Sequence, residues 1–217
     1  MADDRKTDGS RLLERAYELG APDSHIAFYR EFADSYDSTF AAGLGYIYPA
    51  GIVASLAAQD RPDGPILDIG CGTGLVAAAI RKADSGAVID GVDISPEMLE
   101  KAREKGDYRD LLLADLTGDF SHLPTGYAAL VSAGIFTFGH LGPERIAGIL
   151  GLCRAGGVAA LGVNASFYAE QGFEAVLERL QAEGRIDAVV LHEVPIYDGR
   201  DATHGSETAL ILEFTVT

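Results

Sequence analysis

The side chains able to do chemistry in this chain gather in one loop and at a few strand ends. Leu67-Asp68-Ile69-Gly70-Cys71-Gly72-Thr73-Gly74 places three glycines at alternate positions behind an aspartate. Glycines in such a turn let the backbone fold tightly and let a ligand approach where a Cβ would collide. The details select among ligands. A dinucleotide loop, Gly-x-Gly-x-x-Gly, needs Gly or Ala three residues after its second glycine, and Leu75 stands there. A phosphate-cradling Gly-Lys-Ser/Thr loop needs a lysine that this one lacks. Asp68, two residues before Gly70, would repel a pyrophosphate. The loop therefore favours a ligand that carries positive charge and no phosphate. Asp93 follows at about the twenty-residue spacing from which a carboxylate accepts hydrogen bonds from both ribose hydroxyls.

These residues need elements to hold them. Ile66–Ile69 is a short apolar run of buried-strand type after the turn chemistry of residues 61–65. Strand and helix patterns then alternate. Strands are expected at 66–69, 87–92, 111–114, 127–133 and 157–163. Helices are expected at 75–83, 96–105 (Ser95 as N-cap, Pro96 at its first position), 143–153 and 172–183. Residues 188–197 and 208–216 read as a final antiparallel pair. From Ser10 to about Ala58 the pattern is helical, with stripes at Leu12, Leu13, Ala16, Tyr17 and Leu19 and at Tyr29, Phe32, Ala33 and Tyr36. The expected fold is α/β: a Rossmann-like seven-stranded, mostly parallel sheet with helices on both faces, an antiparallel C-terminal edge and a helical N-terminal extension. Such sheets bind ligands beyond the carboxyl ends of their strands. Residues 1–58 are expected to form the helical segment, a candidate lid, and residues 59–217 a single compact ligand-binding domain.

The glycine loop resembles the first motif of the class I S-adenosylmethionine-dependent methyltransferases, acidic-x-Gly-x-Gly-x-Gly. The resemblance covers about residues 60–170 with specific motifs and the last two strands by pattern. It implies S-adenosyl-L-methionine as cofactor, held by Asp68, Gly70, Cys71, Gly72 and Gly74. Asp93 would take the ribose hydroxyls and Asp115 the adenine amino group. Ile94 and Leu116 would flank the ring, and Ala133, near the end of the fourth strand, would lie beside the methionine part. A narrower match, Tyr29-Arg30-Glu31-Phe32-Ala33-Asp34-Ser35-Tyr36-Asp37, resembles the small methyltransferases similar to the Williams–Beuren-region methyltransferase-like protein. Arg30 and Phe32 depart from that pattern, which has Asp and Trp there. The stripe can simply pack on the core, or it can form a lid whose Tyr29 or Tyr36 hydroxyl reaches the cofactor carboxylate.

Such an enzyme works mainly by positioning, because its methyl donor is already activated and the acceptor attacks in line. A general base matters when the acceptor is a hydroxyl or an ammonium. His140, after the fourth strand, is the candidate catalytic residue. Asn164, His192, Tyr197 and His204 are candidates to line an acceptor pocket. No metal-ligand spacing is visible, and Cys71 reads as a small loop residue.

The net charge is −16 in 217 residues, which argues against nucleic acid or a membrane surface as partner and leaves a small-molecule acceptor. With 47% apolar residues the chain can bury a normal core. Two cysteines form no disulfide framework, and no signal-peptide pattern or spanning segment is visible, so a cytoplasmic location is expected. The stripe at Leu12–Leu19 can cover the core or a second subunit, which leaves a homodimer open. Non-catalytic binding of S-adenosylmethionine or S-adenosylhomocysteine, and a nucleotide-dependent oxidoreductase, are the alternatives.

Overall fold

A computed structural model describes residues 8–17 and 22–217. Residues 1–7 and Leu19 of the first apolar stripe lie outside the described residues. The strands are β1 (Ile66–Ile69), β2 (Ile89–Asp93), β3 (Asp110–Leu113), β4 (Tyr127–Phe136), β5 (Cys153–Asn164), β6 (Val190–Pro195) and β7 (Thr208–Thr215). They form one sheet in the order β3-β2-β1-β4-β5-β7-β6. The five strands from β1 to β5 are parallel, whereas β7 runs antiparallel to both β5 and β6. The order reverses between β1 and β4, so the loops after β1 and β4 part there and leave a crevice.

Burial explains the strand sequences. All four residues of β1 are buried, as a strand hydrogen-bonded on both sides and covered on both faces must be. Leu67 and Ile69 face a core built with Leu130, Leu161, Ile146 and Phe173. Ile66 faces the other core, with Ile52, Ile80, Ile89 and Val131. The second core is covered by α4 (Tyr48–Ala58) and α5 (Leu75–Ala83), and the first by α7 (Ile146–Leu150) and α9 (Phe173–Ala182). Helix α6 (Pro96–Lys105) starts where Ser95 Oγ accepts from the Met98 N–H at 3.2 Å, with Pro96 in its first turn.

The structure departs from the sequence pattern in four places. The helix expected over 143–153 is a 3-10 turn, Pro143–Arg145, running into the short α7; glycines at 148 and 151 weaken helix there, and Cys153 already pairs with Tyr127 as the start of β5. Strand β4 continues past Ala133 to Phe136 through a register shift at Gly134 (φ +91°), which carries residues 133–135 to the crevice. A helix, α8 (Ala165–Glu170), follows β5, capped by Asn164 Oδ1 on the Phe167 N–H at 3.1 Å. In the N-terminal segment, α1 (Asp8–Tyr17) and α2 (Pro22–Phe32) precede a π-helical stretch, Tyr36–Ala41, and the single turn α3 (Ala42–Leu44). Tyr36 therefore does not continue the face of Tyr29, although the two rings still meet at 6.3 Å.

Leu12 and Ala16 are buried against Phe28, and Leu13 joins the second core. Leu12, Leu13 and Ala16 of the first stripe thus cover this chain's own interior. No helix among the described residues is long and apolar enough to cross a membrane.

The join between the N-terminal segment and the sheet depends on Gly162. A Cβ there would lie 1.9 Å from the Tyr48 hydroxyl and 3.0 Å from the Ser132 carbonyl oxygen. Tyr48 is fully buried and has nowhere to swing. Gly162→Ala is expected to destabilise the fold by roughly 1–3 kcal/mol, checked by urea denaturation against wild type.

Candidate active site

The loops after β1, β2, β3 and β4 converge on a cavity of about 260 Å³ beyond the carboxyl ends of the strands. Gly70, Gly72 and Gly74 all have φ between +52° and +90°. At Gly72 a Cβ would meet nothing within 4 Å, and the residue lines the cavity, so its bare backbone is space left to a ligand. At Gly74 a Cβ would come 2.9 Å from the Tyr108 ring, so this glycine serves packing instead.

Asp93, at the end of β2, pins the loop. Its Oδ2 accepts from the Gly72 N–H at 2.8 Å and its Oδ1 from the Ser95 N–H at 2.9 Å. Each oxygen keeps a lone pair for a ligand donor. Burial pushes its pKa up, and the backbone N–H groups oppose that rise. Asp115, after β3, folds back on Thr117, its Oδ1 accepting from the backbone N–H at 2.8 Å and from Oγ1 at 2.7 Å. Apolar side chains of Ile94, Met98 and Leu116 line the space alongside these two carboxylates, and among the described residues no lysine or arginine lines the cavity. That combination suits a nucleoside without phosphate and offers nothing to a pyrophosphate.

Asp68 stands behind the loop, fully buried on β1, and does not line the cavity. Its Oδ2 accepts from the Tyr108 hydroxyl at 2.7 Å. Burial lifts its pKa to about 7; the Tyr108 bond opposes the rise and nearby Asp93 adds to it. Cys71 is also buried behind the loop, and burial, with Asp93 and Asp68 near, holds it as a thiol.

A second cavity, of about 70 Å³, adjoins the first. Tyr29, Tyr36, Gly134 and His140 line both. His140 Nδ1 lies 3.0 Å from the Phe138 carbonyl oxygen, which can only accept, so the ring proton belongs on Nδ1. Nε2 of the neutral ring then accepts from the Tyr29 hydroxyl at 2.8 Å. Burial, with Asp37 and Asp93 close by, pushes the Tyr36 pKa up, so its hydroxyl stays a donor. The outer wall of the second cavity comes from α1, α2 and the π-helical stretch, through Leu12, Leu13, Ala16, Phe28, Phe32 and Phe40.

That segment is tied to α6 by three ion pairs: Arg30–Glu97 at 2.6 Å, Asp34–Lys101 at 2.8 Å and Asp37–Lys105 at 2.5 Å. The three α6 residues are four apart and share one helix face. Asp37 also accepts from Thr73 Oγ1 of the glycine loop at 2.5 Å.

Of the residues singled out in the sequence, Gly70, Gly72, Asp93, Ile94, Asp115, Leu116, Ala133, Tyr29, Tyr36 and His140 line the first cavity. Asp68, Cys71 and Gly74 sit behind it. Asn164 and Tyr197 line the second cavity. His192 and His204 line neither: His192 is exposed on β6 against Glu213, and His204 is bonded to Glu207 at 2.5 Å. Sequence reasoning missed Met98, Thr117, Gly134 and Ile135 in the first cavity and Tyr46, Tyr48 and Thr137 in the second. Met98, Thr117 and Gly134 were legible as near neighbours of motif residues. Ile135 and Thr137 stand equally near Ala133 and His140, whereas Tyr46 and Tyr48 are brought in by the N-terminal segment from far away in sequence.

A sheet of this order, with a glycine loop at its switch point and a carboxylate closing the next strand, defines a nucleoside-binding α/β protein. A model described as a methyltransferase domain matches residues 66–157. Methyltransferase-like protein 27 of Homo sapiens is 34% identical over 181 residues, which cover 79% of this chain and 72% of that protein. The crystal structure of a TehB-like SAM-dependent methyltransferase from Corynebacterium glutamicum is 25% identical with a TM-score of 0.56, covering 90% of this chain and 98% of the other. The plantazolicin methyltransferase BpumL, solved in complex with SAH, shares the fold at 14% identity and a TM-score of 0.57, over 95% of this chain and all of that one. The chain belongs to the class I S-adenosylmethionine-dependent methyltransferases, and its cofactor is S-adenosyl-L-methionine.

The buried Asp68 makes stability depend on pH. The folded chain keeps that proton up to about pH 7, whereas an unfolded aspartate releases it near 3.8. Between those values the unfolded state binds fewer protons, so this contribution is present below 3.8 and is lost as pH rises through 7. Asp68→Asn keeps an acceptor for Tyr108 and removes the titration. Urea melts at pH 4 and pH 7 are expected to differ less for the variant than for wild type, by roughly 2–4 kcal/mol.

Proposed function

We propose that this enzyme methylates a small-molecule acceptor, with His140 as general base and the N-terminal segment as a lid. The observation that carries this reading is the second cavity, which meets the first at Tyr29, Tyr36, Gly134 and His140. Residues common to both cavities mark where the contents of one approach the contents of the other, as transfer between two substrates requires. The acidic chain, net −16, supports an uncharged or cationic partner over nucleic acid. A protein that only bound the cofactor would have no use for a second cavity. Family membership speaks against the oxidoreductase reading, and the carboxylates that line the first cavity suit a ligand without a pyrophosphate.

In this reading Asp93 accepts from the ribose hydroxyls and Asp115 from the adenine amino group, with Ile94 and Leu116 on the ring faces. Gly70 and Gly72 let the ligand reach the backbone, Ala133 lies beside the methionine part, and the Tyr36 hydroxyl donates to its carboxylate. Asp68, Cys71 and Gly74 act from behind as positioning residues, through Tyr108 and the shape of the loop. When bound, the cofactor would supply an activated methyl group on positive sulfur, and His140 would receive the proton that the acceptor gives up. Phe138 fixes the tautomer of His140, and its Nε2 takes the proton through the Tyr29 hydroxyl that already donates to it. The lid contributes Tyr29 and the outer wall, and its closure excludes water.

Asp93→Ala is expected to weaken S-adenosylmethionine binding by about 1–3 kcal/mol, measured by titration calorimetry; unchanged affinity would remove Asp93 from the site. His140→Ala is expected to lower turnover by roughly 10²–10⁴-fold while leaving S-adenosylhomocysteine affinity near wild type. Equal losses in turnover and affinity would make His140 a structural residue, and cofactor binding with no turnover on any acceptor would leave a binding protein.

A further inference from the structure

We propose that Asp37 is a positioning residue for the cofactor: it ties the seating of the N-terminal segment to the geometry of the glycine loop, so that the segment closes over bound cofactor. This rests on the reading of the first cavity as the cofactor's and adds what holds its cover in place. Three parts of the molecule meet at Asp37. Its Oδ1 accepts from Thr73 Oγ1 of the glycine loop at 2.5 Å, its Oδ2 pairs with Lys105 Nζ of α6 at 2.5 Å, and its backbone belongs to the N-terminal segment. The residue before it, Tyr36, lines both cavities. Both stand in the π-helical stretch, in which the Asp37 carbonyl accepts from the Ala42 N–H. Such turns are rare and concentrate at functional sites. Here the turn brings Asp37 to the loop and the Tyr36 ring to the cavities.

The two bonds to Asp37 are unequal. Its pairing with Lys105 joins side chains that keep 41% and 27% of their exposure, where an ion pair is worth little. Thr73 is buried, and a hydroxyl donating to a carboxylate makes a charge-assisted bond, about twice as strong as a neutral one. The Thr73 bond therefore carries the greater part of the link. Thr73 lines neither cavity, but it stands between Gly72, which lines the first cavity and bonds Asp93, and Gly74, which packs on Tyr108. Its hydroxyl reaches Asp37 only while the loop holds that one geometry. A ligand seated against Gly72 restricts the loop to it, and so favours the bond that seats the segment. By linkage, a seated segment tightens the ligand by the same factor.

The test uses the full chain and S-adenosylhomocysteine, with affinity from titration calorimetry and amide hydrogen exchange over residues 29–44 followed by mass spectrometry. In wild type the ligand is expected to slow exchange there about tenfold. Thr73→Val keeps the shape and removes the hydroxyl. It is expected to bind the ligand about five- to tenfold more weakly and to lose the ligand-dependent slowing, with exchange in β1, β4 and β5 as in wild type. Asp37→Ala, at a partly exposed position, is expected to do the same and serves where Thr73→Val fails to fold. Asp37→Asn keeps an acceptor for Thr73 and gives up only the exposed ion pair, so it is expected to restore the slowing and bring affinity within about twofold of wild type. Direct contact of the ligand with Tyr29 and Tyr36 alone would slow exchange equally in wild type, Thr73→Val and Asp37→Ala, and that result overturns the proposal. A wild-type segment whose exchange the ligand leaves unchanged overturns it as well. Both results leave the first cavity as the cofactor's. Ligand affinity that Asp93→Ala leaves unchanged overturns that reading and this proposal with it.

Discussion

The site depends on one carboxylate holding one backbone in a conformation that L side chains avoid. The turn from β1 into α5 runs through glycines in the left-handed region, where nothing intrinsic favours a single geometry over its neighbours. Asp93 supplies the preference. It bonds the Gly72 N–H from the end of the adjacent strand while also bonding the Ser95 N–H that leads into α6. The same side chain therefore fixes the floor of the cavity, closes β2 and sets the start of the next helix. Behind the loop, Tyr108 packs on Gly74 and bonds Asp68, so the loop is held from both sides. A carboxylate kept partly protonated by burial is a consequence of that clamp, since Asp68 lies deep in the sheet near a second acid.

The N-terminal segment belongs to the site as much as the loop does. Its aromatic residues build the outer wall of the second cavity, and Tyr29 supplies the hydroxyl that meets His140. Its attachment has two unlike parts. Toward the sheet, Tyr48 is buried over Gly162, and Tyr46 forms an antiparallel bridge with Tyr197. Toward α6, the attachment is a ladder of ion pairs, each joining a partly exposed α6 residue to a more exposed partner, Asp34 at 90%. Exposed pairs are weak and screened by salt. One end of the segment is therefore anchored in the core and the other held by contacts that water and ions can replace.

How much of this was legible in the sequence follows from how local each determinant is. The β1 loop, Asp93 and the capped start of α6 are set by near neighbours, and the sequence pattern located all three. Helices α5 and α6 were read to the residue, because their caps and apolar spacing lie within one or two turns. The extension of β4 was not legible: Gly134 looks like a strand end, and only pairing with β5 continues the strand through the bulge. The helix α8 was missed because no helix was expected between the strand at 157–163 and residue 172, although Asn before Ala-Ser-Phe is an N-cap signal. The acidic residue of the loop motif was recognised but misplaced toward the ligand, because motif spacing does not say which face of a buried strand a side chain takes.

That last distinction bears on how the two cavities divide their work. Alternation along β1 puts Leu67 and Ile69 on one core and sends Asp68 to the side of Ile66, under Tyr108 and away from the ligand. The acids that do line the first cavity stand at the ends of β2 and β3, where the backbone turns and a side chain can leave the sheet. The second cavity begins where β4 does the same, at the Gly134 bulge, and it is walled by rings rather than acids. Charge is thus confined to one side of the shared wall and apolar surface to the other. The order of the strands therefore sets the contrast between the two cavities.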